Sequence, residues 1–284
     1  MKDNNSFSNL FYSFKIKSMT KAEQITSNFD ILPADEELFD RACAEMITRP
    51  EYEKGIGTLG EKSIHSVLKY YFMPDTKYHE IRIGGPVADA CREGEIFEIQ
   101  SRNFHALRKK LAAYPAEYDI TIVYPVITSK NVIYIDPQTG EIMPPSRSPK
   151  HMTPYDVMPE LIYIRDFLRR PGLHITLCLL TAEEYRLLDG YGKNKKIHAT
   201  KTDRIPVSFK GTINIDDKED FLPFLPQEIR SGKKDSFTAK ECASFLGIDR
   251  HSASCLCSVL CAAGTTVQTG TKGKAYVYSI AYPQ

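Results

Sequence analysis

The spacing of hydrophobic residues along the first half of the chain changes from a helical period to an alternating one and back. Residues 36–48 and 57–72 place apolar side chains three and four positions apart, which predicts two amphipathic helices. The alternation that follows predicts three short strands, at 78–83, 87–91 and 96–100. Residues 104–113 predict a basic amphipathic helix, and the apolar run at 119–126 predicts a buried strand. The expected order is therefore helix, three strands, helix, strand.

The pattern in the middle of the chain is less regular. It predicts, in order, a hairpin of 132–136 with 141–143, a helix at 155–169, a strand at 174–180 and a helix at 182–188. Residues 216–236 contain Pro223, Pro226 and a Ser-Gly pair. Proline and glycine of this kind interrupt helices and strands, so this segment is predicted to be a linker.

The C-terminal segment carries clear helix-capping signals. Thr238 opens a helix with a capping-box pattern, in which Thr and a Glu three residues later bond each other's backbone N–H. Asp249 is a good N-cap for a second helix at 250–263, which a glycine ends. Two alternating strands follow, at 265–269 and 275–280. Helix, short turn, helix and β-hairpin is the pattern of a winged helix-turn-helix domain.

Composition and charge narrow the class of protein. The chain has 284 residues with 37 Lys and Arg against 36 Asp and Glu, so any nucleic-acid site must come from local basic patches. No apolar run approaches the roughly 20 residues of a membrane helix, and no signal-peptide pattern is present. Seven cysteines, an odd number, do not fit a secreted disulfide framework. We expect a cytoplasmic protein with no membrane partner.

Length and pattern together predict two domains. A single domain usually takes about 100–200 residues, which is less than this chain. The expected division is an N-terminal extension at 1–35, an α/β domain at 36–215, a linker at 216–236 and a winged-helix domain at 237–284.

Two carboxylates are predicted to face each other in the α/β domain. If Glu93 and Gly94 are the central residues of a tight hairpin, Asp89 lies directly opposite Glu98. Like charges in that position destabilise a sheet, and a divalent cation between them removes the repulsion. Gln100 lies two residues beyond Glu98 and therefore on the same face. The pattern predicts a Mg²⁺ or Mn²⁺ site held by Asp89 and Glu98.

This arrangement, with its order of elements, resembles the PD-(D/E)xK nuclease superfamily over roughly residues 55–126. The resemblance implies a restriction endonuclease-like fold, a mixed α/β sheet flanked by helices, which here carries the winged helix-turn-helix domain at its C-terminal end. It also implies Mg²⁺-dependent hydrolysis of DNA phosphodiester bonds. Carried over by position, Asp89 matches the family's Asp, Glu98 the acidic residue and Gln100 the Lys. Glu61 is the candidate carboxylate of the preceding helix.

The sequence departs from the family pattern at Gln100, where the motif has Lys. A lysine stabilises developing negative charge, whereas a neutral glutamine can only hydrogen-bond the attacking water. Two alternatives therefore stay open beside a DNA nuclease. One is a non-catalytic DNA-binding regulator built on an inactive nuclease core, and the other is a nuclease of the same superfamily that cleaves RNA.

Basic side chains beside the acidic pair, in the run 193–201 and in the C-terminal segment are candidates for contact with DNA or RNA, with solvated surface charge as the alternative for each. They are Arg102, Lys109, Lys195, Lys196, Arg250, Lys272 and Lys274. Cys255 and Cys257 are not predicted to bind zinc, because residues two apart on a helix point in nearly opposite directions. A homodimer is left open.

Overall fold

The computed structural model describes residues 25–47, 62–191 and 198–281. The helices in these ranges are α1 Glu36–Ile47, α2 Lys62–Phe72, α3 Phe104–Ala113, α4 Met158–Leu161, α5 Gln227–Arg230, α6 Ala239–Leu246 and α7 Arg250–Ala263. The strands are β1 Leu32–Pro33, β2 His79–Arg82, β3 Val87–Arg92, β4 Glu95–Ile99, β5 Asp119–Ile135, β6 Ser146–Arg147, β7 Leu173–Leu187, β8 Thr200–Ile215, β9 Phe237–Thr238, β10 Thr266–Lys272 and β11 Ala275–Ile280.

One large mixed sheet forms the centre of the described structure. Its strands run in the order β1-β8-β7-β5-β4-β3-β2, and the short β6 also pairs with β5. β5 pairs in parallel with both β4 and β7, and the other neighbours are antiparallel. This confirms the predicted mixed α/β sheet and, from α2 to β5, the predicted order of helix, three strands, helix and strand.

Helices cover the sheet on both faces, so its central strands are buried twice. Within β5, Ile122 and Tyr124 belong to a hydrophobic cluster that includes residues of α3, α4 and α7. Val123, between them, belongs to a second cluster with residues of α1 and α2. Alternate side chains of a strand point to opposite faces, so a strand between two layers of helices needs apolar residues at consecutive positions. The unbroken apolar run of β5 has this cause.

The turn between β3 and β4 is a tight two-residue hairpin. Glu93 and Gly94 both have positive φ, at 51° and 90°, as the common hairpin turns require. The backbone pairs are Ala90 with Phe97, Cys91 with Ile96 and Arg92 with Glu95. The predicted turn is therefore confirmed, and so is its register as far as Ala90 and Phe97. The predicted pair of Asp89 with Glu98 is not part of the ladder, because the Ile99 N–H donates to the Asp89 side chain there.

Two predicted helices of the middle segment are wrong. Residues 182–188 continue strand β7 to Leu187, because this stretch pairs with β5 on one side and β8 on the other. Residues 155–169 form two short 3-10 segments around the four-residue helix α4. Pro159 cannot donate a backbone hydrogen bond to the preceding turn, and Ile164 leaves the helical conformation, so one long helix does not form.

The predicted N-terminal extension and linker both contain core residues. Phe29 packs its ring against Phe224 at a centroid distance of 4.6 Å. β1 lies so close to β8 that a Cβ on Gly211 would meet the Leu32 carbonyl oxygen at 2.2 Å. In the segment 216–236, Phe224 is fully buried and Ile229 almost so. This segment is packed structure and differs from the open linker we predicted, because its apolar side chains fill the space under the sheet.

The C-terminal helices follow their predicted caps. Thr238 and Glu241 form the reciprocal capping box, and Asp249 accepts hydrogen bonds from two backbone N–H groups at the start of α7. β10 and β11 form a hairpin with Lys272 and Lys274 at its tip, and β9 pairs with β11. The buried face of α7 belongs to the same hydrophobic cluster as the sheet, so no gap separates the two parts of the core.

We expect Phe224→Ala to lower the free energy of unfolding of the full chain by about 3–5 kcal/mol, because it removes a fully buried ring at the junction of the sheet and the C-terminal segment. Urea denaturation measures this loss. Phe245→Ala is the matched control, since its ring is 43% exposed and its removal should cost less than about 1 kcal/mol. Equal losses in the two variants would contradict the shared core.

Candidate functional site

Asp89 lies on β3 beside the point where β3 and β4 separate. The backbone ladder of these strands ends at the pair Ala90–Phe97. Beyond it, the N–H of Ile99 donates to Asp89 Oδ2 at 2.8 Å, and His65 Nε2 lies 3.1 Å from the same oxygen. Burial acts to raise the pKa of Asp89, but His65, the charge of Lys110 and the Ile99 N–H outweigh it and leave the pKa below its usual value. Asp89 is therefore ionised at neutral pH.

Glu98 is buried on the opposite strand, with only 1% of its surface exposed. Lys110 Nζ donates to both of its carboxylate oxygens, at 2.8 and 3.0 Å, and the Tyr114 hydroxyl donates to one of them. Burial, and then the negative charge of Asp89, raise the pKa of Glu98 to about 7 against the opposing effect of Lys110 and Tyr114. The negative charges of Asp89 and Glu98 therefore repel each other, although their partners come from different helices. His65 on α2 contacts Asp89, and Lys110 on α3 contacts Glu98.

Gln100 follows β4 and organises the loop before α3. Its side-chain amide donates to the carbonyl of Arg102 and, at 3.4 Å, to that of Asn103. Asn103 has a left-handed conformation with φ of 63°, at the point where the chain enters α3. Gln100 therefore holds the loop that forms one wall of the site.

A cleft of about 660 Å³ opens over these residues. Four cations line it, and Asp89 is the only carboxylate among its lining residues in the described structure. The polar lining residues are His65, Asp89, Gln100, Ser101, Arg102, Asn103, Lys110, Lys201 and Arg204. Glu98 lies beneath Lys110 and does not reach the cleft. With four cations and one carboxylate among its described lining residues, the cleft is suited to an anionic ligand.

A second buried carboxylate supports the far wall of the cleft. Glu184 on β7 is 1% exposed and pairs in the sheet with Arg204 on β8. It forms ion pairs with Lys130 at 2.6 Å, Arg204 at 2.7 Å and Arg186. Burial acts to raise the pKa of Glu184, but the three cations lower it to about 2. One negative charge therefore holds three positive ones.

No three His, Cys, Asp or Glu side chains in the described part of the chain come together as a group that could hold a metal ion. Asp89 with His65 is the closest such contact at the cleft, and Glu61 lies outside the described residues.

Across residues 25–47, 62–191 and 198–281, no helix is long and apolar enough to cross a membrane.

The part of the chain that contains the cleft matches a known protein family. A family model described as Domain of unknown function (DUF8091) matches residues 62–216, which is more than half of the chain. The chain belongs to this family. The matched part of the DUF8091 domain begins with α2 and ends just after β8, so it contains every residue that lines the cleft. No curated protein and no solved structure matches the chain.

The structure brings together some of the predicted site residues and separates others. Asp89, Gln100 and Arg102 line the cleft, and Glu98 lies below it. Lys109 is exposed on α3 but is not among the lining residues. The predicted contacts of the C-terminal part are on α7 and at the hairpin tip, outside the lining of the cleft; they are Arg250, Lys272 and Lys274. Glu61, Lys195 and Lys196 lie outside the described residues.

Sequence reasoning missed three residues of the site, namely His65, Lys110 and Arg204. Lys110 had a usable signal, because it lies between Leu107 and Leu111 on α3 and so borders the helix's buried stripe. For Arg204 no such signal exists, since its partner Glu184 is distant in sequence and falls in a segment that predicts a helix.

We expect the free energy of unfolding of the wild-type protein to decrease as the pH is lowered, and part of this decrease to come from Glu184. Its pKa in the folded state, about 2, is below the ordinary value of 4.5, so its contribution is complete above that value and is lost as pH falls from 4.5 to 2. The full contribution is roughly 3 kcal/mol. Urea denaturation at pH 7 and pH 3 should show a smaller difference for Glu184→Gln than for wild type.

Glu183→Gln is the control for this measurement. Glu183 accepts a hydrogen bond from the Tyr185 hydroxyl at 2.8 Å and forms no ion pair with a described residue. Its replacement should leave the difference between pH 7 and pH 3 nearly unchanged. The same pH difference in Glu184→Gln and wild type would show that the ion pairs of Glu184 do not stabilise the fold.

Proposed function

We propose that this protein is a metal-dependent nuclease that hydrolyses DNA phosphodiester bonds. One observation carries the proposal: the cleft joins an ionised, partly buried Asp89 to a lining of four cations, and the buried Glu98 lies beneath one of them, Lys110. A phosphodiester needs both, because its own charge must be attracted and the charge that develops during attack must be stabilised.

The arrangement of elements supports this proposal. A helix, three antiparallel strands, a second helix and a strand parallel to the third are the elements from α2 to β5. This is the order on which the resemblance to the PD-(D/E)xK superfamily rests. By the resemblance, Asp89 on β3 and Glu98 on β4 would correspond to that family's acidic residues, and the two strands pair in the predicted register as far as Ala90 and Phe97.

The donor chemistry of the site fits Mg²⁺. This ion is usually held by one or two carboxylates, several waters and the phosphate of the substrate. Asp89 and Glu98 are two carboxylates whose charges repel each other, and Lys110 neutralises only one of them. Asp89 would hold the ion from the cleft, Glu98 would join it by exchanging its contact with Lys110 for the ion, and Glu61 is a further candidate ligand. When bound, Mg²⁺ supplies a water of lowered pKa and screens the charge of the phosphate.

Other residues of the cleft would bind the phosphate and position the reacting groups. Lys110 places an ammonium group at the cleft beside Glu98 and can take the charge-stabilising role that Gln100 cannot. Gln100 keeps the 101–103 loop in position, and Arg102 in that loop presents its guanidinium to the phosphate. His65 orients the Asp89 carboxylate from α2.

The proposal extends to the C-terminal segment as a winged-helix DNA-binding domain at 237–284. The helices α6 and α7 and the β10–β11 hairpin follow one another in the order expected for such a domain. Arg250 at the start of α7 would reach a base edge, and Lys272 and Lys274 at the hairpin tip would contact phosphate. A cytoplasmic location, in keeping with seven cysteines that form no disulfide, is part of the same proposal.

A second candidate is a DNA-binding regulator on an inactive nuclease core. The engagement of Gln100 with two loop carbonyls and of Glu98 with Lys110 and Tyr114 favours it, since both side chains already have partners. Cleavage of RNA by the same site is a third outcome. The cleavage experiment separates these functions.

We expect the full-length protein to cleave DNA in the presence of Mg²⁺ or Mn²⁺. Asp89→Asn should lower the rate by roughly a hundredfold or more, because it removes a charged group at the reacting centre. Asp235→Asn, at an exposed position after α5, is the control and should keep the wild-type rate. The assay follows labelled single-stranded and duplex DNA and labelled RNA on a gel.

The substrate arms of this assay decide between the candidates. Cleavage confined to RNA would replace the DNA assignment. DNA binding without cleavage under either metal would support the regulator instead of the nuclease.

We expect Lys110→Met to separate chemistry from metal binding. The change keeps the apolar stem of the side chain and removes its charge, so the cleavage rate should fall by roughly tenfold or more. Mn²⁺ affinity, measured by isothermal titration, should be retained or rise, because an ammonium group is not a metal ligand and Lys110 competes with the ion for Glu98. Lys109→Met, one residue away and exposed outside the cleft, should keep both properties. Loss of Mn²⁺ binding in Lys110→Met would remove Lys110 from the charge-stabilising role.

A further inference from the structure

We propose that Arg204 and Lys201 form a subsite that binds a backbone phosphate of a nucleic-acid strand, in the same cleft as Asp89. The proposal rests on the proposed function in that the strand held there is its substrate. It assigns a binding role to β8, a strand that lies beyond the elements on which the nuclease resemblance depends.

The charge balance around Glu184 is the first argument. Lys130, Arg186 and Arg204 all form ion pairs with this one carboxylate, so the cluster carries two positive charges in excess. Of the three cations, Arg204 alone lines the cleft in the described structure. Lys201 lines it three residues earlier on β8, on the other side of a register shift in the β7–β8 pairing. The excess positive charge of the cluster is therefore accessible to an anionic ligand in the cleft through Arg204.

The hydrogen bonding of Arg204 is the second argument. Its Nη2 donates to Glu184 Oε2 at 2.7 Å, which fixes the guanidinium against β7. Its buried Nε has no hydrogen-bond partner among the described residues. A guanidinium has five N–H donors, and a buried donor without a partner is costly. Glu184 thus orients the Arg204 guanidinium but does not occupy all of its N–H donors. A guanidinium held in this way can bind a second oxyanion.

The link between Arg204 and Asp89 is the third argument. The backbone N–H of Arg204 donates to Asp203 Oδ1 at 2.7 Å, and the other oxygen of this buried carboxylate accepts from the Ser63 hydroxyl. Ser63 lies in the first turn of α2, two residues before His65, which contacts Asp89. Buried hydrogen bonds through α2 therefore join the phosphate subsite to the proposed reacting centre. A nucleic-acid strand bound at Arg204 and Lys201 would therefore have a fixed position relative to Asp89.

The experiment measures binding without metal, so that it does not depend on cleavage. Full-length protein in EDTA is titrated into fluorescently labelled single-stranded and duplex DNA over a series of salt concentrations. Arg204→Gln and Lys201→Ala are each expected to weaken binding by about three- to tenfold. Each should also reduce the slope of log affinity against log salt by about 0.7 on the single strand and about 0.9 on the duplex.

Arg186→Gln is the matched control. Arg186 contacts the same carboxylate as Arg204 but does not line the cleft. Its replacement should lower the melting temperature about as much as Arg204→Gln while leaving DNA affinity within about twofold of wild type. Lys201→Ala changes an exposed side chain, so it tests the subsite even if Arg204→Gln fails to fold.

The outcomes separate this subsite from the nuclease proposal. Equal weakening by Arg186→Gln and Arg204→Gln, or no effect of Lys201→Ala, would overturn the subsite. Competition by ATP at the same concentration as unlabelled oligonucleotide would overturn its assignment to a strand. DNA binding that depends on Arg204 and Lys201 but leads to no cleavage would leave the subsite in place and remove the nuclease. Cleavage with a KM unchanged in Arg204→Gln would do the reverse.

Discussion

A carboxylate buried inside a sheet must have its charge compensated, and this constraint organises both walls of the cleft. Glu98 and Glu184 are each 1% exposed, on β4 and β7. An isolated buried carboxylate would cost several kcal/mol, so each requires cations from neighbouring elements. Glu98 takes Lys110 from α3, and Glu184 takes Lys130 from β5, Arg204 from β8 and Arg186 from its own strand. Two of the four cations that line the cleft, Lys110 and Arg204, are the partners of these buried carboxylates.

The two clusters differ in what they leave over. At Glu98, one lysine and a tyrosine face two mutually repelling carboxylates, and the pKa of Glu98 rises to about 7. At Glu184, three cations share one carboxylate, and its pKa falls to about 2. The first cluster has a deficit of positive charge and the second an excess. A divalent cation and a phosphate are the ligands that would balance them, which is what the proposed Mg²⁺-dependent cleavage of a phosphodiester requires.

The packing of the termini bears on how such a cleft is kept rigid. Phe29, Tyr155 and Phe224 come from distant parts of the chain and pack their rings together beside the sheet. Arg169 donates to the carbonyls of Cys261 and Ala262 at the end of α7. These contacts tie the C-terminal helices to the sheet that carries the cleft. If α7 meets DNA, its position relative to Asp89 is set by this shared core and not by a free linker.

The amino-acid sequence alone determined what depends on neighbouring residues. The β3–β4 turn and its register followed from Glu93 and Gly94, and the starts of α6 and α7 followed from Thr238 and Asp249, because turns and caps are satisfied locally. The presence of Asp89 and Glu98 on paired strands followed from the same turn. Only the tertiary structure decided the partners of these carboxylates, the strand at 182–187 and the burial of Phe224. Each depends on pairing or packing between residues far apart in the chain, where the strength of a contact is unrelated to local sequence pattern. The apolar period of α3 predicted its helix, but that Lys110 reaches Glu98 and Arg204 reaches Glu184 depends on how the sheet and its helices stack.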